Sequence, residues 1–453
     1  MNWFSNLFAK SAPKSAGERQ TLPDDAKDAA NLDPTQNSRP LTVSHERQPL
    51  DVLKQFAPLR GLDEEAIASL PETTLRFGNE ARIFSLGETS DTVFYLLEGQ
   101  INMQPDADQS YRIEAGTSRA HLPLNCGKIC GATATTLSEA TILAISVELN
   151  RLWAQKSQED ICCVELVDIE LPEPLNDNRF FASFAKAYRE NKLQLPSLPN
   201  VALKLKEAMQ QDIGINEAVE IIQIDPPILT KLIQVANSPL YAPTSPITNC
   251  HDAVTRLGLQ ATRSLVMGIS LKQLFNCQDP HLLRAMQKLW KNSLYLSSLS
   301  FVLAEETGKI NPEDALLAGL ISDIGIIPLL RFAEQYPEQY PDFGELENSI
   351  PYLRAPVGAL MLHTLDFSEE LSAIPHQSEN WMYDSGEQIT LADIVILAKL
   401  HSYFGKEKAK ELPYINSIPA YAKLQDGKLN PDFSLTILRK AQQRINAAMS
   451  ILT

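Results

Sequence analysis

The stretch "NPEDALLAGLISDIGIIPLLRF", residues 311–332, opens with a helix start and continues as an apolar run that holds a single acid, Asp323, beyond its first turn. Asn311 has the side chain of an N-cap, Pro312 suits the first helical position, and Glu313 and Asp314 face the positive end of the helix dipole. A helix is therefore expected from about residue 312. An isolated carboxylate is costly to bury without a partner, so Asp323 must either bind something or accept hydrogen bonds inside a packed core.

Outward from this stretch the periodicity stays helical for most of the second half of the chain. "NVALKLKEAMQQ", "PPILTKLIQVAN" and "LWKNSLYLSSLSFVLAEETG" place apolar residues at i, i+3 and i+4, and no repeat of fixed period appears. A compact all-α unit is expected there. Between Leu53 and Leu152 the texture changes to short runs broken by glycine, as in "RIFSLGETSDTVFYLLEGQINMQ", which reads as β-strands and tight turns. The expected division is a disordered tether at 1–49, a β domain at 50–155, and an acidic, proline-containing linker at 156–185. An all-α domain at 186–390 and a helical extension packed on it at 391–453 follow.

The chain has 453 residues, and 40 Lys and Arg against 56 Asp and Glu give a net charge of -16. That balance repels polyphosphate and argues against nucleic-acid binding, including by the helix-turn-helix-like "AVTRLGLQATRSLVMG" with Arg256 and Arg263. The six cysteines lack paired spacing and read as free thiols in a cytoplasmic protein. Asp323, Asp393 and Lys399 interrupt the longest apolar runs, so no membrane span is expected. Trp3, Phe4, Leu7 and Phe8 share one helical face, which allows weak contact with a membrane surface.

"GLISDIG" (319–325) resembles the "GLLHDIG" element of HD-domain phosphohydrolases, in which adjacent His and Asp hold a metal ion. Here Ser322 stands at the histidine position, and in "LWKNSLYLSS" Asn292 stands where an earlier histidine ligand is implied. His376, in "AIPHQSEN", falls near a downstream histidine of that family. A lone carboxylate beside a hydroxyl and an amide does not hold a hard or borderline metal, so no metal, cofactor or catalytic residue is expected. The resemblance that remains is to the HDOD domain, a relative of the HD fold that commonly lacks the ligands. It is carried by "LPSLPNVALKLKEAM", by "IIQIDPPILTKLIQVANSPLY" with Asp225, Pro226, Asn237 and Ser238, and by "ITNCHDAVTRLGLQATRSLVMG" with Gly258. Read physically, Asp225-Pro226 begins a helix, Asn237-Ser238 ends one and Gly258 permits a turn. The sharper reading has Asn237, Ser238 and Tyr241 line a groove for a partner. His363, Asp366 and His401 are further donors weighed for an altered metal site.

The β segment resembles the cyclic nucleotide-binding domain through "LRGLDEEAIASL" and "IFSLGETSDTVFYLLEGQINM". That resemblance implies an antiparallel β-barrel or jelly roll with a phosphate-gripping cassette. Aligned on "CGKICGATATTLSEATILAIS", Gly127-Lys128 take the Gly-Glu position and Ser138 takes the arginine's. A phosphate without its counter-charge is poorly held, so an ordinary cyclic nucleotide is not expected to bind. Lys128, Arg119 or Arg112 could hold a changed ligand.

The expectation is a multidomain, non-enzymatic signal-transduction or scaffold protein. In it a degenerate cyclic nucleotide-binding-like domain is coupled to an HDOD output module that binds protein partners, with homo-oligomerisation open. The alternative is an HD-type metal-dependent phosphohydrolase with an altered ligand set. Asp323 is expected to accept hydrogen bonds from Asn292 or Ser293 on the neighbouring helix.

Overall fold

The structure, a computed structural model, describes residues 38–153, 156, 178–190, 192–193, 195–209, 213–241, 245–337, 343–406, 409, 411–424 and 435–452. The tether up to residue 37, with its four candidate membrane-facing side chains, and residues 157–177 of the expected linker lie outside the described residues.

Eight strands build the first unit: β1 (Thr42–Ser44), β2 (Glu72–Phe77), β3 (Arg82–Phe84), β4 (Thr92–Glu98), β5 (Gln100–Asp106), β6 (Gln109–Glu114), β7 (Thr133–Thr136) and β8 (Ala140–Ser146). They form two antiparallel sheets, ordered β1-β2-β8-β4 and β3-β7-β5-β6. Period-two alternation explains the pairing of the faces: on β6 Tyr111 and Ile113 are buried while Arg112 and Glu114 face out. Phe84, Leu96, Ile101, Met103, Ile113 and Ile142 fill the space between the sheets. Strand β8 is buried on both faces, because Leu143 and Ile145 join Tyr95 under two short helices, α1 (Leu50–Leu53) and α2 (Glu64–Ser69). Each such side chain contributes roughly 1.5–3 kcal/mol by leaving water. The β unit starts earlier than the expected residue 50, since Thr42 pairs with Arg76 and Ser44 with Thr74 at the sheet edge. A three-residue strand is too short to leave a periodic signal.

The second unit is helical: α3 (Arg179–Arg189), α4 (Asn200–Met209), α5 (Ile215–Gln223), α6 (Pro226–Ala236), α7 (Cys250–Leu257), α8 (Leu259–Leu271), α9 (Pro280–Thr307), α10 (Pro312–Ile321), α11 (Ile326–Gln335), α12 (Gly344–Thr364), α13 (Glu369–Gln377), α14 (Leu391–Ser402), α15 (Pro419–Ala422), α16 (Thr436–Lys440) and α17 (Gln442–Leu452). Among the described residues it reaches back past the expected residue 186 to Asn178, whose side chain caps α3 by accepting from Phe181 N at 2.9 Å and donates to the Glu345 carbonyl at 2.9 Å. The 28-residue α9 is the spine on which α10, α14 and α17 pack. Asn311 caps α10 through Asp314 N at 2.9 Å, as its position in the sequence requires.

The stretch Pro312–Gln335 is, against the sequence expectation, long and apolar enough to cross a membrane; 94% of its most apolar window is buried inside the helical unit. Its apolarity serves the core. Two glycines let its neighbours come close: a Cβ on Gly319 would lie 2.7 Å from Ser300 Oγ, and one on Gly325 would lie 1.9 Å from the Arg354 carbonyl oxygen. The second contact brings α12 against the turn that carries Asp323.

The units meet through residues 380–421. Tyr414 stacks on Tyr111 with ring centroids 3.6 Å apart, the Asn416 amide donates to the Gly131 carbonyl at 3.2 Å, and Arg119 donates to the Ala409 carbonyl at 3.0 Å. The extension expected to pack on the helical unit therefore also forms the seat of the β unit. A side chain at Gly131 would strike the Asn416 backbone at 2.1 Å, which is why this approach needs glycine.

Candidate functional site

Asp323 sits in the turn between α10 and α11 and is 2% exposed. It does not rely on Asn292 or Ser293, the partners expected from the sequence. Lys399 Nζ, from the last turn of α14, reaches Asp323 Oδ1 at 2.9 Å, and Arg354 NH1, from α12, lies 3.7 Å from the same oxygen. Lys399 and Arg354 also both bind the carboxylate of Glu379, which follows α13. Ser378 Oγ lies 3.5 Å from the lysine. Two cations and two carboxylates thus form one nearly closed, charge-neutral set, with Lys399 1% and Arg354 7% exposed.

Burial works against the charge on Lys399, and Asp323 followed by Glu379 outweighs it, so the ammonium is held above its ordinary range. Arg354 is governed the same way, by burial first and then by Glu379 and Asp323. A divalent cation would have to displace the lysine from Asp323 and sit beside a guanidinium. The other positions of the metal-binding pattern do not help: Ser322 donates its hydroxyl to the Gly319 carbonyl at 3.0 Å, and Asn292 is half-buried on α9. His376 is half-buried on α13, while His363 and Asp366 are exposed at the end of α12. Among the described residues no three His, Cys, Asp or Glu side chains converge as a metal-holding group. These residues do not fit a metal; Lys399 stands on the carboxylate that the motif would give to one.

Sequence reasoning found Asp323 and missed Arg354, Glu379 and Lys399. The signal was present for the lysine: "LADIVILAKLHS" is an apolar helix that carries a lysine beyond its capping turn, the counterpart of one acid in "GLISDIG". A buried charge in each of two oily stretches implies that they meet.

A second ionic chain leaves the other end of α14. Asp393, fully buried, caps its own helix with Thr390 and receives Lys423 Nζ at 2.9 Å. Lys423 lies 3.8 Å from Asp384, and Asp384 receives Lys128 Nζ of the β unit at 2.8 Å. Lys128 also donates to the Gly386 carbonyl at 3.1 Å. The cassette position Lys128 is thus engaged with the helical unit, beside Gly127, which turns the chain with φ +71°. Ser138 lies in the β7–β8 turn, where its hydroxyl accepts from Gln100 N at 3.1 Å. Arg112 is exposed on β6.

The remaining motif residues organise backbone. Asp225 caps α6 by accepting from Ile228 N at 3.0 Å, with Pro226 at the first helical position. Asn237 ties the following loop through Ile247, donating to its carbonyl at 2.7 Å and accepting from its N–H at 2.9 Å. Ser238 donates its N–H to the Val235 carbonyl at 2.9 Å to finish the helix, and Tyr241 donates to Glu313 at 2.8 Å. Gly258 joins α7 to α8 with φ +83°, a conformation that favours glycine. The described cysteines, Cys126, Cys130, Cys250 and Cys277, are free and buried.

Replacing Asp323 with Ala leaves Lys399 and Arg354 buried against the single carboxylate of Glu379. Urea denaturation is expected to show a loss of about 3–5 kcal/mol. Asp323→Leu combined with Lys399→Met leaves Arg354 and Glu379 balanced, and this double variant is expected to lose less than Asp323→Ala alone. An equal or larger loss in the double variant would contradict the pairing.

His401, buried on α14, has its pKa lowered to about 4, first by burial and then by Arg439. Its unfolded value near 6.5 is higher, so the unfolded chain binds the extra proton between those values. The stabilisation is complete above about pH 6.5 and is lost as pH falls towards 4, by about 3 kcal/mol in all. The difference in stability between wild type and His401→Gln, followed from pH 7 to pH 4, should shrink by that order; a constant difference would show that His401 titrates normally.

Residues 195–379 match the model of the HDOD domain. A crystal structure from Shewanella amazonensis SB2B, assigned provisionally as a metal-dependent phosphohydrolase, is 24% identical. It covers 59% of this chain and 97% of its own, with a TM-score of 0.52, which supports the fold. An HDOD domain protein of unknown function from Geobacter sulfurreducens is 19% identical over 60% of this chain and 96% of its own, with a TM-score of 0.44. An uncharacterized protein of Treponema pallidum (strain Nichols) is 24% identical over 161 residues, 35% of this chain and 30% of that relative's length. Lys399 lies beyond the end of the HDOD match, so the extension supplies the cation that the domain's carboxylates hold.

Proposed function

Residues 195–379 being an HDOD domain, we propose that the chain is a non-enzymatic signal-transduction or scaffold protein whose HDOD module binds protein partners and whose β unit reports to it. The observation that carries this reading is the Lys399 ammonium on Asp323, flanked by Arg354 and closed by Glu379. Metal-assisted hydrolysis needs an open, anionic ligand set that lowers the pKa of a bound water. Here both carboxylates are committed to internal cations, and no described group is positioned as their replacement.

The coupling of the two units rests on their shared contacts. Trp153 of the β unit donates its indole N–H to Asn380, the residue after Glu379, so the β unit touches the chain next to the buried network. Docking of Lys128 onto Asp384 adds an ionic contact a few residues on. A signal that loosens the β unit therefore acts where the HDOD module ends.

Two measurements on the purified full-length chain test the reading together. Hydrolysis of bis(p-nitrophenyl) phosphate with manganese, iron or zinc supplied should not exceed that of Asp323→Asn. A protein partner from the native host should co-purify in stoichiometric amount and be lost when surface residues of the HDOD unit are changed. Metal-dependent turnover abolished by Asp323→Asn would replace this reading with the phosphohydrolase.

A further inference from the structure

A cavity of about 130 Å³ opens where α8 and α10 meet the starts of α13 and α14. Roughly 150 Å³ of apolar cavity holds a benzene ring, so this space takes a single hydrocarbon side chain and not a nucleotide. Met267, Leu317, Phe367, Leu371 and Leu391 give it an apolar floor, and all but Leu371 are buried. Its charged groups are Arg263 on α8, Asp314 on α10 and Glu370 on α13. Gln260 and Glu370 are exposed and mark the mouth.

The two acids are held close without a cation. Ser264, 4% exposed, donates its hydroxyl to Asp314 Oδ1 at 2.8 Å and fixes that carboxylate in the wall. Glu370 reaches solvent, yet partial burial and then the charge of Asp314 hold its carboxyl above the ordinary range. Among the described residues neither acid makes an ion pair, and half-buried Arg263 in the same wall makes none either. Around Asp323, by contrast, both acids and both bases are matched within 4 Å. An ammonium group would relieve the repulsion between Asp314 and Glu370, and a guanidinium pairs with a carboxylate through two parallel hydrogen bonds. A hydrocarbon chain would cover the floor. A free aliphatic α-amino acid carries all three features, with both charges at one end.

We propose that this cavity binds a free aliphatic α-amino acid, its ammonium between Asp314 and Glu370, its carboxylate on Arg263 and its side chain against Met267, Leu317 and Phe367. Bound there, it fastens α8 and α10 to the start of α13, whose other end leads into Glu379. The inference stands on the cavity and does not depend on the non-enzymatic reading of Asp323.

Isothermal titration of the full-length chain with L-leucine tests it, with isoamylamine and isocaproate as the probes that lack the carboxylate and the ammonium. Saturable one-to-one binding of leucine is expected, tighter than either partial probe, and this comparison needs no variant. Arg263→Gln should raise the leucine Kd by about tenfold or more, the scale of a lost charge-assisted hydrogen bond, and leave isoamylamine as it was. Glu370→Gln, at an exposed position, should weaken leucine and isoamylamine alike and leave isocaproate no weaker. Three results would each overturn the proposal: no saturable binding at millimolar leucine, a leucine Kd indifferent to both substitutions, or isoamylamine bound as tightly as leucine. The last would make the cavity a seat for a lysine side chain instead.

Discussion

The lysine ammonium between Asp323 and Glu379 holds the helical unit in its observed form. Three elements must meet for it to exist: the α10–α11 turn with Asp323, the end of α13 with Glu379, and α14 with Lys399. Arg354 adds α12, which reaches the set only because Gly325 leaves room for its backbone. Any one of these charges alone would be strongly unfavourable in the core, so the four side chains are mutually required. The arrangement ties residues 391–402 to the HDOD domain although they follow its end.

Helix α14 carries the second consequence. At its first turn Asp393 binds Lys423, and through Asp384 the ionic chain reaches Lys128 on the β unit. One helix therefore anchors the buried network in its last turn and the contact between units at its start. The β unit's cassette region faces a protein surface here: Lys128, Gly131 and Arg119 all meet residues between 384 and 416.

Much of the fold was legible. Capping residues and periodicity placed α6 and α10, and glycine-broken runs located the two sheets, because local physics decides those features. Boundaries were less legible: β1 is too short for a pattern, and α3 hides behind an acidic linker sequence until Asn178 is seen capping it. Asp323 was legible as a buried acid needing partners, whereas Lys399 and Arg354 were not read as those partners. Their distance in sequence, 76 positions for the lysine, puts the pairing in tertiary structure, where only charge in two apolar stretches hints at it. The contact of Tyr414 with Tyr111 had no sequence signal at all.

In this chain Lys399 occupies the carboxylate, Asp323, that the resembled HD pattern gives to a metal. Calorimetric titration of manganese into the purified full-length chain tests it most directly. With Lys399 on Asp323, no saturable one-to-one site should appear, and Asp323→Asn should give the same trace as wild type. A stoichiometric manganese site that disappears in Asp323→Asn would contradict the claim.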